Sequence, residues 1–375
     1  MTNIRLLKNG IEAFPAMFHA IDGARCRIAL EMYTVADDET GREFRAHLIA
    51  AARRGVEVKV LVDALGSWSL SGSFWDELVA GGGQVRWFRP FKRGMFLFRN
   101  HRKLLLVDDY IAFIGGFNIA DEYYRGSAGE PPWRDNALEL TGAETARLRR
   151  SFSRMWARAE SLFRRMVFRL RREQDGKAAM GRNVRFLESG PEDLMHPVRR
   201  VYRRMVRQAV KNIDLAMGYF YPHGGLLRAL KRAVKRGVRV RLLFTQKSDV
   251  PVAQWAARGL YGRLLRAGVE VWEYTPAMLH AKLAVIDDRV IAGSANLDIR
   301  SGRINYELVA IVADSELAAR ARRDFEEDLT QSVRISLDDW KRRSMIKKMK
   351  ERFSYCLLAR ADIFFAKAEL ARRMR

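Results

Sequence analysis

NHRKLLLVDD, residues 100–109, returns as LHAKLAVIDD at residues 279–288. Both copies contain the pattern His-x-Lys-x4-Asp: His101, Lys103 and Asp108 in the first, His280, Lys282 and Asp287 in the second, a constant 179 positions apart. Each is followed by a small-residue turn that ends in Asn, GGFN at 115–118 and GSAN at 293–296. The runs LLLVDD and LAVIDD read as buried strands entering a turn. Residues i and i+2 of a strand face one way, so the His and Lys of each copy are expected to project together. The glycines and small residues at 115–116 and 293–295 are expected to let the backbone come close to a ligand. A constellation repeated at this period marks a duplicated unit.

The flanking sequence repeats as well. RIALEMY (27–33), FRAHLIAAARRG (44–55) and VEVKVLVD (56–63) read as strand, helix and strand. IDLAMGYF (213–220), LLRALKRAVKRG (226–237) and VRVRLLF (238–244) read the same way. A short strand containing Trp87 or Trp272 and then a Pro lead into each His-Lys segment. Alternating strands and helices predict an α/β architecture with mixed β-sheets flanked by helices. The 375 residues suffice for two domains of ordinary size, each with its own core. The expected division is a first domain at 1–157, a basic amphipathic linker at 158–182, a second domain at 183–333 and a basic helical tail at 334–375. If the halves pack face to face, both His-Lys strands meet in one cleft.

The residue types indicate the chemistry. Neutral imidazole is a good nucleophile near pH 7, and a pKa of about 6.5 also lets it act as an acid. One histidine can attack a phosphodiester phosphorus to give a phosphohistidine. The other can protonate the leaving alkoxide and then deprotonate the incoming alcohol or water. Lys103 and Lys282 supply compact positive charge for the phosphoryl oxygens. Asn118, Asn296 and Ser294 are candidate neutral donors to the same oxygens. A single copy of the pattern could arise by chance, but only six histidines exist and two fall at matching places. Neither has a second His or Cys at ligand spacing, so no metal and no cofactor is expected. Asp108 and Asp287 complete the pattern, and turn structure competes with chemistry as their role. The residues alone do not say which histidine attacks.

The net charge of +24 is concentrated. Residues 146–185 hold 13 Lys/Arg against 3 acids, 197–211 hold six against none, and 340–375 hold 12 against 3. In the tail, Met345, Met349, Phe353, Leu357, Ala361, Phe364, Ala368 and Ala371 recur at helical steps. Leu162, Phe163, Met166, Val167 and Leu170 give the linker the same character. The expectation is that 146–185 and 340–375 bind an anionic membrane surface, while 197–211 docks on the core. Nucleic acid is the competing partner for basic charge, and is disfavoured. No run approaches the roughly 20 apolar residues a span needs. The N-terminus lacks the apolar region of a signal peptide. Two cysteines, Cys26 and Cys356, fit a reducing compartment.

From about residue 4 to 332 the sequence resembles the phospholipase D superfamily, and within it the bacterial cardiolipin synthases. The resemblance rests on NHRKLLLVDDYIAFIGGFNIADEY, PWRD at 132–135, and LHAKLAVIDDRVIAGSANLDIRS with Asn305 and Glu307 beyond it. The GGFNIADEY form looks most like the B type of synthase, which lacks an N-terminal membrane anchor. The resemblance implies two tandem phospholipase D-type domains, pseudo-twofold related, with one shared active site. It implies metal-independent transfer of a phosphatidyl group from a phospholipid to His and on to an alcohol, making cardiolipin from phosphatidylglycerol or a related lipid pair. It implies that Glu307 holds His101 and Asp135 holds His280, each across the halves, with His101 as the nucleophile. The expected place of work is the cytoplasmic face of a bacterial inner membrane, as a peripheral protein. The alternatives are a phospholipase D that hydrolyses phospholipids to phosphatidic acid, a nuclease of the same superfamily, and a non-catalytic membrane scaffold. Two complete motifs weigh against the nuclease and the scaffold.

Overall fold

The apolar runs of both halves become strands in two mixed sheets built to one plan. The computed structural model describes residues 3–88, 98–127, 129–160, 183–191, 193, 196–222 and 224–358. The first sheet runs Asn3–Lys8, Asn136–Thr141, Ile111–Gly115, Leu104–Val107, Arg27–Met32, Glu57–Asp63, Gln84–Phe88. The second runs Val184–Ser189, Glu307–Ala313, Arg289–Gly293, Lys282–Ile286, Asn212–Met217, Arg239–Thr245, Glu270–Tyr274, and adds Ser332–Arg334 at its far edge. The order is the same strand for strand. In each, three neighbours are parallel, joined by helical crossovers, and the rest of the ladder is antiparallel.

The edge strands Asn3–Lys8 and Val184–Ser189 were not foreseen. Both are short and pair antiparallel with the strands carrying or following the candidate carboxylates, Asn136–Thr141 and Glu307–Ala313. The helix expected over 44–55 begins earlier, at Glu39, because the Asp38 carboxylate caps it by accepting from Gly41 N at 2.8 Å.

Each sheet buries one face under its own helices and the other in a core common to both halves. Leu104, Leu106, Ile114 and Leu138 of the first half join Leu279, Leu283, Ala292 and Leu308 of the second in that common cluster. A buried ion pair crosses the same junction. Arg134 donates to both Asp328 oxygens through Nε at 3.0 Å, and its Nη2 lies 2.8 Å from Oδ2. This many-fingered geometry satisfies two charges that would be costly to bury singly.

The basic segments divide. The helix Ala146–Glu160 places Leu148, Phe152, Met155 and Trp156 in the common core. Its arginines pair with Glu144, Asp109 and Glu188. The expected membrane role of 146–185 is therefore corrected for 146–160, whose apolar face is already covered. The remainder through 182 lies outside the described residues. The helix Pro197–Gln208 buries Val198, Tyr202, Met205 and Val206 and docks on the second half. In the tail, residues 345–358 are helical, and the stripe from Ala361 onward lies outside the described residues. No helix among the described residues is long and apolar enough to cross a membrane.

Candidate active site

The His-Lys segments fold as extended chain leading into strands. The first strand begins at Leu104 and the second at Lys282, so both histidines precede their strands. Their backbones are held by the opposite half instead. His101 N donates to Tyr306 O at 3.0 Å, and His280 N donates to Arg134 O at 2.8 Å. Tyr306 and Arg134 are the residues immediately before Glu307 and Asp135. One backbone bridge thus sets both a histidine and the carboxylate that faces it. Sequence reasoning missed these two bridges, which have no local signature.

The carboxylates complete the crossing. His101 Nδ1 lies 3.1 and 3.2 Å from the two oxygens of Glu307. His280 Nδ1 lies 2.6 Å from Asp135 Oδ2. Such contacts place the Nδ1 proton toward the carboxylate and leave Nε2 as the reactive nitrogen. His101 Nε2 has no hydrogen-bond partner among the described residues. His280 Nε2 lies 3.5 Å from Tyr123 Oη, and Lys282 Nζ lies under the ring, 2.8 Å from Nδ1 and 3.2 Å from Nε2.

Both imidazoles line a single cavity of about 470 Å³. Tyr33, Asn118, Trp133, Tyr219, Asn296 and Arg300 line it too. The lysines lie beneath the histidines rather than in the wall: Lys103 Nζ donates to His101 O at 2.8 Å and Lys282 Nζ to His280 O at 2.5 Å. The aromatic wall was not foreseen. Tyr33 directly follows its strand and Tyr219 follows the equivalent strand one residue later, and the tyrosine closing each of RIALEMY and IDLAMGY was the available signal.

Burial dominates the electrostatics. It pushes His101 down to about 4, assisted by the Lys103 charge and opposed by Glu307. His280 is lowered for the same reasons, with burial and Lys282 opposed by Asp135. Burial and the neighbouring Lys282 bring Lys103 down to about 7, and burial lowers Lys282 as well. Burial would raise Asp135 and Glu307, but the lysine and imidazole partners hold both below the usual carboxylate range. At neutral pH the site therefore offers neutral imidazoles beside ionised carboxylates. A bound phosphodiester anion favours the protonated form of a nearby imidazole.

Three expectations are corrected by placement. Asp108 and Asp287 sit beyond the far ends of their strands, roughly 20 Å of extended chain from the histidines. Asp108 accepts from Arg25 N, Cys26 N and Arg27 N, and Asp287 from Val210 N, Lys211 N and Asn212 N, at 2.8–3.0 Å. Each stands at positive φ, 52° and 50°, and closes a turn, so neither takes part in chemistry at the cavity. Ser294 is fully buried and outside the cavity wall. Its hydroxyl donates to Glu307 Oε2 at 2.5 Å and accepts from Leu308 N at 3.0 Å, so it serves the carboxylate and not phosphate. The small residues approach protein, not ligand: a Cβ on Gly116 would lie 2.2 Å from Asp135 Oδ1, and one on Gly293 2.4 Å from Leu308 O.

The two asparagines do line the cavity. Asn118 is partly engaged, with Nδ2 donating to Tyr123 Oη at 2.8 Å and Oδ1 accepting from Thr34 N at 3.2 Å. Asn296 Oδ1 is buried without a hydrogen-bond partner. Among the described residues no group of three or more His, Cys, Asp or Glu side chains could hold a metal ion.

Comparison with known proteins agrees with this architecture. The family model "Cardiolipin synthase, PLD-like domain" matches residues 17–156 and 202–329. Cardiolipin synthase 1 of Bacillus cereus is 33% identical over 366 residues, covering 94% of this chain and 71% of that protein. Cardiolipin synthase A of Pseudomonas aeruginosa is 35% identical over 342 residues, covering 90% of this chain and 69% of that protein. Among solved structures, phosphatidylserine synthase of Haemophilus influenzae shares the fold with a TM-score of 0.75 at 16% identity, covering 97% of this chain and 94% of that one. With its duplicated sheets and matched motif segments, this chain belongs to the cardiolipin synthase family with phospholipase D-like domains.

Proposed function

We propose that this protein is a phosphatidyltransferase that makes cardiolipin from phosphatidylglycerol or a related phospholipid pair. The observation that carries the reading is the crossed pair of histidines, each held at Nδ1 by a carboxylate of the other half, in one cavity. The names of the relatives set the substrate class.

His101 Nε2 attacks the donor lipid's phosphorus, and the glycerol alkoxide leaves with a proton from His280. The phosphatidyl group then rests on His101. His280 next takes the proton of an acceptor hydroxyl, whose oxygen attacks phosphorus and frees His101. The unpartnered Nε2 of His101 supports it as nucleophile, and the Tyr123 hydroxyl 3.5 Å from His280 Nε2 suits a group that exchanges protons. Lys103, Lys282 and Asn296 offset charge on the phosphoryl oxygens. Glu307 and Asp135 fix tautomers, and Ser294 and Gly116 position those carboxylates. The enzyme works from the surface of the bacterial inner membrane, on its cytoplasmic face. An exposed apolar and basic tail supports work at a membrane surface.

The test is incubation of the purified chain with labelled phosphatidylglycerol vesicles in EDTA. Cardiolipin and free glycerol are the expected products. Phosphatidic acid as the sole product replaces transfer with hydrolysis, and activity restored only by a divalent ion overturns the metal-independent scheme.

A further inference from the structure

We propose that a basic cavity walled by the helix Pro251–Leu265 and the segment 337–356 is a second phospholipid site, remote from the histidines. It takes the phosphate headgroup of an anionic lipid within an intact leaflet, while the apolar stripe of 345–357 lies among the acyl chains.

The cavity measures about 630 Å³, and seven Lys or Arg side chains reach it against one acid, Glu351. That acid is already paired with Arg343 at 2.5 Å. Arg258 is likewise held by Glu273, at 2.9 Å. Arg263, Arg266, Lys348 and Arg352 have no acidic partner among the described residues, so the cavity carries a net positive charge. Trp340 and Tyr355 share its wall. Cations set among aromatic rings with polar edges suit the headgroup level of a bilayer.

The helical residues 345–358 dock by an inverted face. Glu351 and Ser354 are buried against the protein, and Tyr355 and Leu358 pack beside them. Lys350 lies over the Trp255 ring at 3.4 Å. The apolar residues point the other way: Ile346 is 79% exposed and Phe353 68%, with Met345, Met349 and Leu357 between and beyond them. Steps of three and four place these on one stripe. An exposed apolar stripe of this kind marks an interaction surface. At about 1.5 Å per residue the helix is roughly 21 Å long, and its cationic flank suits a helix lying in the membrane plane.

The position relates this surface to the chemistry. One end of the helix Pro251–Leu265 brings Ala253 to the histidine cavity, while its middle and far end bring Arg258 and Arg263 to the basic cavity. Leu358 and Tyr355 pack in the cluster that holds Ala253, with Tyr219 beside them. Leaflet contact through the stripe therefore holds the mouth of the histidine cavity beside the lipid. A nucleic acid would satisfy the cations but not the stripe next to them, and for this reason the occupant is lipid. This inference deepens the phosphatidyl-transfer reading and rests on it for its purpose, although the binding itself does not.

The experiment uses the full chain with two variants at exposed positions, Arg266→Glu/Arg352→Glu and Met349→Gln/Phe353→Gln. Co-sedimentation is measured with vesicles of equal parts phosphatidylcholine and phosphatidylglycerol, and with phosphatidylcholine alone. Each variant should bind the mixed vesicles about tenfold or more weakly, with thermal melting and turnover of a short-chain soluble phospholipid unchanged. Wild-type affinity in both variants overturns the site. Loss of single-stranded oligonucleotide binding in the charge-reversal variant, with vesicle affinity intact, overturns it in favour of nucleic acid. If wild-type protein binds mixed vesicles and the variants do not, the site stands even where no cardiolipin forms. Cardiolipin synthesis with unaltered vesicle binding by the variants leaves transfer standing and removes the site.

Discussion

His101 faces a glutamate at 3.1 Å that is also held by the Ser294 hydroxyl, whereas His280 faces an aspartate at 2.6 Å whose oxygens lie against Gly116. Ser294 and Gly116 occupy equivalent places in GSAN and GGFN. The longer carboxylate comes with a hydroxyl that fixes its extra rotatable bond. The shorter one comes with a residue that has no side chain to collide with it. The rings around the histidines differ too. Tyr33 meets His101 at 4.9 Å, while Tyr123, Trp133 and Tyr219 surround His280. Two copies of one constellation have thus reached similar histidine–carboxylate pairs by different packing. One Nε2 is left open to the cavity and the other is engaged.

Removing either imidazole should give the largest effects, and different ones. His101→Ala should abolish turnover and the covalent phosphatidyl adduct. His280→Ala should slow turnover by about 10²–10⁴-fold, yet retain a burst with a substrate whose leaving group needs no proton, such as a nitrophenyl phosphodiester. Rapid-quench measurement of the burst and adduct in both variants decides this. A burst in His101→Ala and none in His280→Ala would exchange the two roles.

The packing difference predicts a smaller asymmetry. Gly116→Ala places a methyl group against Asp135, and displacement of a catalytic group by about 1 Å costs on the order of 10²-fold. Ser294→Ala removes one hydrogen bond to a carboxylate that keeps its imidazole partner, so a loss of about tenfold is expected. Steady-state kinetics with a soluble phospholipid should rank them in that order, with little change in KM. Equal losses would mean that the two carboxylates are positioned alike.

The lysines offer the mildest contrast. Lys282 lies 3.8 Å from Asp135 Oδ2, whereas Lys103 lies over the Tyr33 ring at 5.1 Å. Lys103, lowered to about 7 by burial and by Lys282, is an ammonium below that pH and loses its charge above it. Vanadate binding should weaken several-fold as the pH rises through about 7, and Lys103→Met should flatten that slope. His101, lowered to about 4, bears on stability. Between pH 6.5 and about 4 the unfolded chain binds a proton that the folded chain does not. Stability present above 6.5 is therefore lost as the pH falls through that window, and His101→Gln should melt with a shallower acid slope. A vanadate slope unchanged in Lys103→Met would assign the charge loss to another group.

The sequence by itself determined the duplication, the α/β class, the short strands containing Trp87 and Trp272 and both His-Lys pairs, because period-2 apolar runs and repeated spacing are local signals. The resemblance to a known family supplied the carboxylates, which no local pattern singles out. Tertiary structure alone decided the rest. Asp108 and Asp287 look like catalytic partners along the chain but stand at the far ends of their strands, where the geometry of the turn holds them. Ser294 reads as a phosphate donor until Glu307 is seen above it. The apolar face of 146–160 has the same sequence character as the tail, yet one is buried in the core common to both halves and the stripe of 345–357 is exposed. Amphipathicity states that a helix has an apolar face, and only the packing of neighbouring elements decides whether protein or lipid covers it. The backbone bridges at Tyr306 and Arg134 join residues some two hundred and some one hundred and fifty positions apart, roughly, a separation that only the folded chain closes.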